Sequence, residues 1–275
     1  MEIFPNTSWR LLKTKSASGP WNMAVDEAVL ECVGRGEVPP TLRLYAWQPP
    51  CLSLGYAQPV SDIDQRLLAA RKWDLVRRPT GGRAILHADE LTYSVTAPHS
   101  EPRLAGGVLE SYRRLSQALL NALAIIGLPA EINPVRISES AQKEPVCFEA
   151  PSNYEITYQG KKLIGSAQAR KKAGILQHGT LPLHGDLTRI TQVLAFSNQN
   201  DRSHASQRLL TRATTVETIL GHRISWEKSV EAFAEAFQQS LNLTLILGKL
   251  SQNEKNRTSE LMREKYANPK WTNRV

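Results

Sequence analysis

A single thiol, Cys147, lies between two prolines in the stretch EPVCFEAPS, residues 144–152. The stretch has neither helical nor strand periodicity, so it predicts a loop. A structural cysteine usually lies on an apolar face as a small hydrophobic side chain, whereas a thiol on a loop is accessible to other molecules. A thiolate is a strong nucleophile, and Cys147 is therefore the first candidate nucleophile of this chain.

A glycine pair marks a second candidate site, in the stretch RRPTGGRAILH at residues 77–87. Gly81 and Gly82 can adopt positive φ and allow a ligand to approach the backbone closely. The stretch is neither a P-loop nor a dinucleotide-binding fingerprint, because it lacks GxxxxGK[ST] and GxGxxG. A glycine turn with solvated arginines is the alternative interpretation. Arg78 and His87 flank the pair and can donate hydrogen bonds to a carbonyl or an oxyanion, which favours a binding site.

A lysine opens the strand-like stretch KLIGSAQA, and small residues follow it. Gly165, Ser166 and Ala167 are small on both faces of the predicted strand, so they leave room for an apolar chain or an approaching backbone. Lys162, at a strand start, is in most proteins a solvated charge, and that alternative stays open. If Lys162 lay beside Cys147, its charge would lower the thiol pKa from the free value of about 8.5 and raise the thiolate fraction.

The remaining cysteines and histidines predict no metal site. Cys32 falls on the inner face of WNMAVDEAVLECV, Cys51 begins a predicted strand, and we expect both in the core. His178 lies inside a predicted strand, where a histidine is more often hydrogen-bonded and structural than a general base. No pair of His, Cys or carboxylate residues has metal-ligand spacing, and the three widely spaced cysteines do not form a disulfide framework.

Composition and charge narrow the class of protein. The 275 residues suffice for one sizeable core, and no apolar run approaches the roughly 20 residues of a membrane span, so we expect no membrane protein. The first residues, MEIFPNTSWR, lack the basic and apolar regions of a secretory signal, which predicts a cytoplasmic location. A formal net charge of +8 suggests an acidic partner. Few aromatic residues (7%) and no glycine-and-aromatic RNA-recognition strand argue against nucleic acid.

Hydrophobic periodicity predicts strands and helices along the first half of the chain. Alternation in TLRLYAW and LTYSVTA gives half-buried strands, and CLSLGY and DLVRRP are also predicted strands. SDIDQRLLAARKW predicts a helix for which Ser61 and Asp62 are the cap candidates. SYRRLSQALLNALAIIG has one apolar helix face and ends at Gly127, a plausible stop signal.

The second half predicts a β-meander followed by helices. NYEITYQ, KLIGSAQA and GILQHGTLPL are three strands joined by short turns. GDLTRITQVLA, TTVETILG and SWEKSVEAFAEAFQQSL are helices; Thr214 and Glu217 form a capping box in the second, and Ser225 caps the third. Residues 249–275 are strongly polar, which predicts a helical tail on the surface.

Six motifs occur in the order SGPWNMAVDEAVL, LRLYAWQPPCLSLGYAQ, RRPTGGRAILHADELTYSV, CFEAPSNYEI, KKLIGSAQ and ILQHGTLPL, across roughly residues 18–183. Together they resemble the superfamily of lipoate ligases, octanoyltransferases and biotin ligases. The resemblance implies an α/β fold in which helices flank a mixed central β-sheet, the catalytic domain of the biotin/lipoate protein ligase type. We assign that domain to residues 1–248, with its core at about 36–245.

Within the superfamily, the motifs are most similar to the LipM-type octanoyltransferases. Members of that family transfer an octanoyl group from acyl carrier protein to a lysine of the glycine-cleavage H protein or of another lipoyl domain. The resemblance implies that Cys147 accepts the acyl group as nucleophile and that Lys162 lowers the pKa of its thiol. Substrate contacts are expected from the glycine loop and the GSA stretch, namely Arg78, Thr80, Gly81, Gly82, His87, Gly165, Ser166 and Ala167.

The same resemblance implies which molecules take part in the reaction. A thioester is already activated, so its transfer needs no ATP, and we expect neither a cofactor nor a metal. The positive charge of the chain would steer both protein partners, the acyl carrier protein and the lipoyl domain, which are generally acidic in this system. We expect a monomer with no nucleic-acid or membrane partner.

Three other functions remain open at this point. A lipoate-protein ligase of the same superfamily activates free lipoate with ATP and needs no cysteine. The CF-APS context of Cys147, the sequence GGRA where ligases commonly have a third glycine, and the lack of a clear accessory domain argue against it. An amidotransferase that passes octanoyl from H protein to other lipoyl domains also uses a cysteine, in a different motif. A non-catalytic module that binds a carrier protein is the alternative from another class.

Overall fold

Helices cover a mixed β-sheet in this protein. The computed structural model describes residues 4–133 and 155–275. The strands of the described residues, in chain order, are β1 (Thr7–Lys13), β2 (Thr41–Tyr45), β3 (Cys51–Leu54), β4 (Asp74–Arg77), β5 (Ile85–His87), β6 (Glu90–Ala97), β7 (Glu131–Asn133), β8 (Glu155–Tyr158), β9 (Lys161–Lys171), β10 (Gly174–Pro182) and β11 (Leu243–Leu247). The α-helices are α1 (Gly19–Gly34), α2 (Gln65–Ala70), α3 (Val108–Ile125), α4 (Gln199–Arg212), α5 (Val216–Leu220), α6 (Trp226–Leu241), α7 (Gln252–Leu261) and α8 (Pro269–Thr272).

Two sheets are formed by the described strands. The large one has the order β11-β1-β2-β6-β10-β9-β8-β7, with β1 parallel to both of its neighbours and every other pair antiparallel. The small one has the order β4-β3-β5, with β3 parallel to β4. The mixed α/β fold of the sequence analysis is confirmed. CLSLGY and DLVRRP contain strands, as predicted, and these two strands lie in the small sheet.

The central strands have one apolar and one polar face. Leu42 and Leu44 of β2 and Val95 of β6 belong to the main hydrophobic core, together with residues of α3 and α6. Because side chains alternate along a strand, Arg43 and Tyr45 lie on the opposite face, where both contact a side chain of α1. A buried charge is costly unless it is paired, so this polar face requires a specific set of partners.

Strands β8, β9 and β10 form the predicted meander. They are consecutive antiparallel neighbours, and the turn between β8 and β9 contains Gly160 with a φ of 75°. Glycine adopts this left-handed conformation without steric cost. Strand β9 is eleven residues long, so Lys162 and the GSA stretch lie on one continuous strand beside β10.

One predicted helix cap lies a few residues from the real one. Ser61 and Asp62 belong to a 3-10 turn at Val60–Asp62, so neither caps the helix. The cap of α2 is Asp64, whose carboxylate accepts hydrogen bonds from the backbone N–H groups of Arg66 and Leu67, each at 3.0 Å. The prediction of a helix in this stretch is correct, and its start was placed too early.

The predicted capping box of α5 is wrong by one residue. Thr215, and not Thr214, is the extended residue before the helix, and its Oγ1 accepts a hydrogen bond from the backbone N–H of Thr218 at 3.1 Å. The Glu217 carboxylate does not reach back to the cap; it accepts a hydrogen bond from Arg223 Nε at 3.0 Å.

Other helix signals are confirmed. Gly127 follows α3 with a φ of 85°, and the Ser225 hydroxyl accepts a hydrogen bond from the backbone N–H of Lys228 at 3.1 Å at the start of α6.

GDLTRITQVLA forms a 3-10 helix at Leu187–Gln192, where a short α-helix was predicted.

The polar residues after Lys249 form α7, a π-helical turn at Met262–Tyr266 and α8. The helical tail lies on the surface as predicted, and one stripe of it packs onto the body of the protein. Glu254 is fully buried in that stripe and accepts a hydrogen bond from Arg10 Nη1 of β1 at 2.8 Å. A domain division near residue 248 stays a prediction.

Candidate active site

The glycine loop between β4 and β5 is held by the guanidinium of Arg78. Its nitrogens donate hydrogen bonds to the carbonyl oxygens of Ser53 (3.0 Å), Gly81 (2.8 Å) and Arg83 (2.7 Å). Arg78 is buried, which rules out the solvated arginine of the alternative interpretation. Gly82 has a φ of 90°, so the loop uses the positive φ that the glycine pair allows.

A second loop packs directly against the glycine pair. A Cβ atom at Gly55 would lie 1.9 Å from the carbonyl oxygen of Gly82, so a residue with a side chain does not fit at this approach. A Cβ atom at Gly81 would meet no atom within 4 Å, and Gly81 lies in the wall of a cavity. The loop is therefore fixed on one side by backbone packing and open on the other.

His178 of β10 connects the glycine loop to α1. Its Nε2 atom lies 2.6 Å from Thr80 Oγ1, and its Nδ1 atom lies 3.4 Å from Asp26 Oδ2. Burial lowers the pKa of His178 below its ordinary value, so the ring is neutral at pH 7. Because a carboxylate can only accept, we assign the proton to Nδ1 and let the Thr80 hydroxyl donate to Nε2. These bonds agree with the predicted structural histidine.

Asp26 is the centre of a buried network on the polar face of the sheet. Its carboxylate accepts hydrogen bonds from Arg43 Nη1 (2.7 Å), Ser94 Oγ (2.8 Å) and Tyr45 OH (2.9 Å). Burial by itself would raise the pKa of Asp26, but the charge of Arg43 and the hydrogen bond from His178 outweigh it, and the pKa lies below its ordinary value. The carboxylate therefore stays ionised and fixes the orientation of the His178 ring.

His87, at the end of β5, contributes a stacked ring to the site. Its Nε2 atom lies 2.8 Å from Ser53 Oγ, and its Nδ1 atom lies 2.7 Å from Glu90 Oε1. The ring stacks on Trp47 with 4.0 Å between ring centroids and 11° between the planes. Both ring nitrogens of His87 have partners inside the protein. Neither is therefore available for the hydrogen bond to a carbonyl or an oxyanion that was predicted for His87.

Lys162 is buried at the start of β9, with 4% of its surface exposed. Its Nζ atom lies 2.7 Å from Glu155 Oε1 of the neighbouring strand β8, and the two side chains form an ion pair. The backbone carbonyl of Lys162 accepts a hydrogen bond from the backbone N–H of Thr214 at 3.1 Å, which fixes the start of β9. The solvated-charge alternative for Lys162 is therefore wrong.

These elements enclose a cavity of about 340 Å³, which falls in the size range of small-molecule sites. Apolar walls come from Met23, Trp47, Ile85, Val108 and Leu109. The cavity also brings together most of the predicted site residues, namely Arg78, Gly81, Gly82, His87, Lys162, Gly165, Ser166 and Ala167. Among the predicted residues that the structure describes, Thr80 does not line the cavity, but its Oγ1 contacts His178, which does. The roles of these residues in a reaction stay predictions.

The three cysteines fall into two groups. Cys32 and Cys51 are buried, as predicted, and burial raises the pKa of both thiols, to about 11 for Cys32 and well above the ordinary value for Cys51. Neither thiol is suited to nucleophilic attack at neutral pH. Cys147 lies outside the described residues.

Three charged residues that contact the site were not predicted from the sequence, namely Asp26, Arg43 and Glu155. For Asp26 a signal exists, because Asn22, Asp26 and Val29 are spaced by four and three residues and lie on the buried side of α1. A polar pair inside such a stripe indicates a buried network. Arg43 and Glu155 lie in strands and have no comparable local signal.

In residues 4–133 and 155–275, no three His, Cys, Asp or Glu side chains are grouped so that they could hold a metal ion. No helix in the same residues has the length and apolar character required to cross a bilayer.

Comparison with known proteins places this site in a family. Residues 18–238 match the model of the lipoyl protein ligase A/B catalytic domain. Octanoyltransferase LipM of Kyrpidia tusciae is 42% identical over 272 residues, which cover 97% of this chain and 99% of the relative. Octanoyltransferase LipM of Moorella thermoacetica is 42% identical over 274 residues, covering 98% and 99%. The chain belongs to the LipM octanoyltransferase family.

As a LipM-family member, the chain is an acyltransferase, which disfavours the non-catalytic alternative. Its fold also occurs in the bipartite lipoate protein ligase of Thermoplasma acidophilum, with a TM-score of 0.80, 22% identity, and coverage of 97% of this chain and 96% of the other. At this identity the likeness concerns the fold. The LipM-family assignment is carried by the sequence relatives and agrees with the cavity and its buried lysine.

Proposed function

We propose that this protein transfers an octanoyl group from octanoyl-acyl carrier protein to a lysine of the glycine-cleavage H protein or of another lipoyl domain, through a thioester on Cys147. The observation that carries the proposal is the buried Lys162–Glu155 pair in the wall of a largely apolar cavity. An apolar chain gains free energy from burial in such a cavity. The printed names of the relatives, octanoyltransferase LipM, support octanoyl as the acyl group.

Chain connectivity supports Cys147 as the nucleophile. Cys147 precedes Glu155 by eight residues, and Glu155 contacts Lys162, which lines the cavity. This short separation in sequence is compatible with a reaction of the Cys147 thiol at the cavity. The buried thiols of Cys32 and Cys51 are poor alternatives, because their pKa values are raised.

The reaction has two balanced steps. In the first, the Cys147 thiolate attacks the thioester carbonyl carbon, a new carbon–sulfur bond forms, and the carrier-protein thiolate leaves. In the second, the acceptor lysine amine attacks the Cys147 thioester, an amide bond forms, the carbon–sulfur bond breaks, and the proton lost by the amine passes to the departing Cys147 thiolate. Both steps exchange acyl groups without a change in oxidation state. Because the donor is already activated, we propose that neither ATP nor a metal takes part.

Lys162 would act on this thiolate through its charge. The Lys162 ammonium is tethered by Glu155 at 2.7 Å, so it is held in place before the substrate binds. A fixed positive charge near a thiol favours the thiolate and lowers the thiol pKa. Glu155 would thus be a positioning residue, which acts through Lys162 and not on the acyl group.

Two observations support the proposed partners, namely the net charge of the chain and one protein of the same fold. The net charge of +8 favours acidic protein partners and faster encounter with them at low salt. The T. acidophilum ligase of the same fold belongs to a lipoylation system with an E2 lipoyl domain, which supports a lipoyl domain as the acceptor here. We propose that the enzyme acts as a monomer in the cytoplasm.

The test is the intact mass of the purified protein after incubation with octanoyl-acyl carrier protein in the absence of ATP. We expect an octanoyl adduct on the wild-type chain and on Cys32→Ala, a control that removes a buried thiol. We expect none on Cys147→Ser, because a serine alkoxide is not available at neutral pH. Added lipoyl domain should then take the octanoyl group from the wild-type adduct.

Two results would contradict the proposal. An adduct on Cys147→Ser would remove Cys147 as the acyl acceptor. Modification of the lipoyl domain only when ATP and free octanoate are supplied would make the chain a ligase.

A further inference from the structure

Thr180 occupies a defined place on the polar face of the central sheet. It is two residues from His178 on β10, so the two side chains lie on the same face. In register, Thr180 lies opposite Thr92 of β6 on one side and opposite Gly165 of β9 on the other. Its side chain therefore lies beside the GSA stretch, in the wall of the cavity.

The hydroxyl of Thr180 is buried and has no hydrogen-bond partner. Only 1% of the residue is exposed, and Oγ1 contacts no donor or acceptor. The other polar side chains of the described cavity wall have partners within the protein; Lys162 contacts Glu155, and His178 contacts Thr80, for example. Thr180 is thus the polar group of this wall that remains to be satisfied.

A buried hydroxyl without a partner lowers the stability of a folded protein, and a valine of the same shape would avoid this loss. Such a group in a binding cavity indicates that a ligand supplies the missing partner. An octanoyl chain has only one polar atom that can pair with a hydroxyl, its carbonyl oxygen. The rest of the chain is hydrocarbon.

We infer that the Thr180 hydroxyl donates a hydrogen bond to the carbonyl oxygen of the acyl group, in the incoming thioester and in the acyl-enzyme. This inference rests on the proposed function. The bond strengthens as negative charge develops on that oxygen in the tetrahedral intermediate, so Thr180 contributes to the oxyanion site. Thr180 keeps its proton throughout, and no bond to Oγ1 forms or breaks.

The chain offers a matched control in Thr96. Thr96 lies on β6, is also 1% exposed, and its Oγ1 is likewise buried without a partner. Unlike Thr180, it does not line the cavity. Thr96→Val therefore removes the same group from a similar setting away from the acyl site.

The experiment measures the single-turnover rate of octanoyl-enzyme formation by intact mass, together with urea denaturation of each variant. We expect Thr180→Val to react about 100- to 1,000-fold more slowly than wild type, as expected for loss of one donor to a developing oxyanion. Thr180→Ser keeps the hydroxyl and should stay within about threefold of wild type. Thr96→Val should react at the wild-type rate.

Stability gives the second readout. Thr180→Val should unfold at the same urea concentration as wild type or at a higher one, because an unpaired buried hydroxyl is removed. The pH dependence of Cys147 alkylation should not change in Thr180→Val, which separates this role from that of Lys162. If Thr180→Val is insoluble, Thr180→Ala removes the same hydroxyl and gives the same kinetic test.

The outcomes separate this inference from the proposed function. If wild type forms the octanoyl adduct and Thr180→Val forms it equally fast, the Thr180 inference is wrong and the proposed function stands. If wild type forms no adduct, the proposed function fails and the inference fails with it. A rate loss in Thr96→Val equal to that in Thr180→Val would assign the effect to the sheet as a whole and overturn the inference.

Discussion

Lys162 and His178 are two basic side chains buried at one cavity, and each contacts a carboxylate from another element. The Lys162–Glu155 pair lies between neighbouring strands, whereas His178 contacts Asp26 of α1 across the polar face of the sheet. In the first pair, the carboxylate tethers a positive charge. In the second, it orients a neutral ring that receives a hydrogen bond from Thr80. The cavity wall thus contains the positive charge of Lys162, fixed by Glu155, and the ring of His178, which holds the glycine loop through Thr80.

Removal of the Lys162 charge should slow reactions of the Cys147 thiol. In Lys162→Met, we expect the pKa of that thiol to rise, because a nearby positive charge is lost. A rise of about one pKa unit would slow alkylation by iodoacetamide at pH 7 about tenfold. Lys161→Met is the control, since Lys161 Nζ contacts the Leu210 carbonyl oxygen at 2.9 Å in an exposed position. Equal alkylation profiles for wild type and Lys162→Met would remove Lys162 from the mechanism.

His178 should make the stability of the protein depend on pH. Burial first of all, and the charges of Arg78 and His87, lower its pKa below the ordinary 6.5, although Asp26 opposes this. Below pH 6.5 the unfolded chain binds a proton at this site that the folded chain does not, so the free energy of unfolding falls as pH falls. The limiting slope is about 1.4 kcal/mol per pH unit for one proton.

Urea denaturation between pH 7.5 and about 5 tests this expectation, above the pH range in which Asp26 titrates. His178→Gln should have a shallower dependence of unfolding free energy on pH than wild type. His99→Gln, which replaces an exposed histidine, should keep the wild-type slope. An identical slope in His178→Gln would mean that His178 titrates alike in the folded and unfolded chains.

At the scale of elements, hydrophobic periodicity predicted a helix or strand where one of its faces is apolar, and it gave no prediction where no such face exists. The amphipathic helices α3 and α6 were predictable because their buried residues repeat at regular spacing, whereas the meander was predicted from three strand-like stretches joined by short turns. Helix α4 was missed, since only Ala205 and Leu209 are buried among fourteen mostly polar residues. Strands β1 and β11 are short, and their apolar runs do not distinguish a strand from a helix.

The candidate site could be predicted only in part, for a related reason. The glycine pair and Lys162 stand out locally, by residue type. The Asp26–His178 contact joins residues 152 positions apart, and no local pattern in the chain encodes such a contact. Family resemblance supplied the link between Lys162 and Cys147, and residue patterns alone left it open.

The packing of two loops makes Gly55 a sensitive position. A Cβ atom there would lie 1.9 Å from the backbone oxygen of Gly82, so Gly55→Ala must displace the glycine loop. We expect a loss of about 1–3 kcal/mol in the free energy of unfolding, as in other overpacked sites. Gly81→Ala, in open space, should change it by less than about 0.5 kcal/mol. Urea denaturation of both variants tests this contrast, and equal stabilities would contradict the close approach.

At the scale of the whole molecule, the two ends of the described chain meet at one side of the sheet. β1 lies between β2 and β11 and is parallel to both. The buried pair of Arg10 and Glu254 joins β1 to the helical tail beyond β11. Both edges of β1 therefore pair with strands that follow it in sequence. One edge pairs with β2 (residues 41–45) and the other with β11 (residues 243–247).

This arrangement has a consequence for biosynthesis. Translation produces β1 (Thr7–Lys13) well before β11 (Leu243–Leu247), because nearly all of the other described strands and helices lie between them in sequence. Throughout that interval one edge of β1 presents unpaired backbone N–H and C=O groups, which can pair with strands of other nascent chains. Strand order alone thus leaves this edge of β1 open until β11 has been made, independently of the active site.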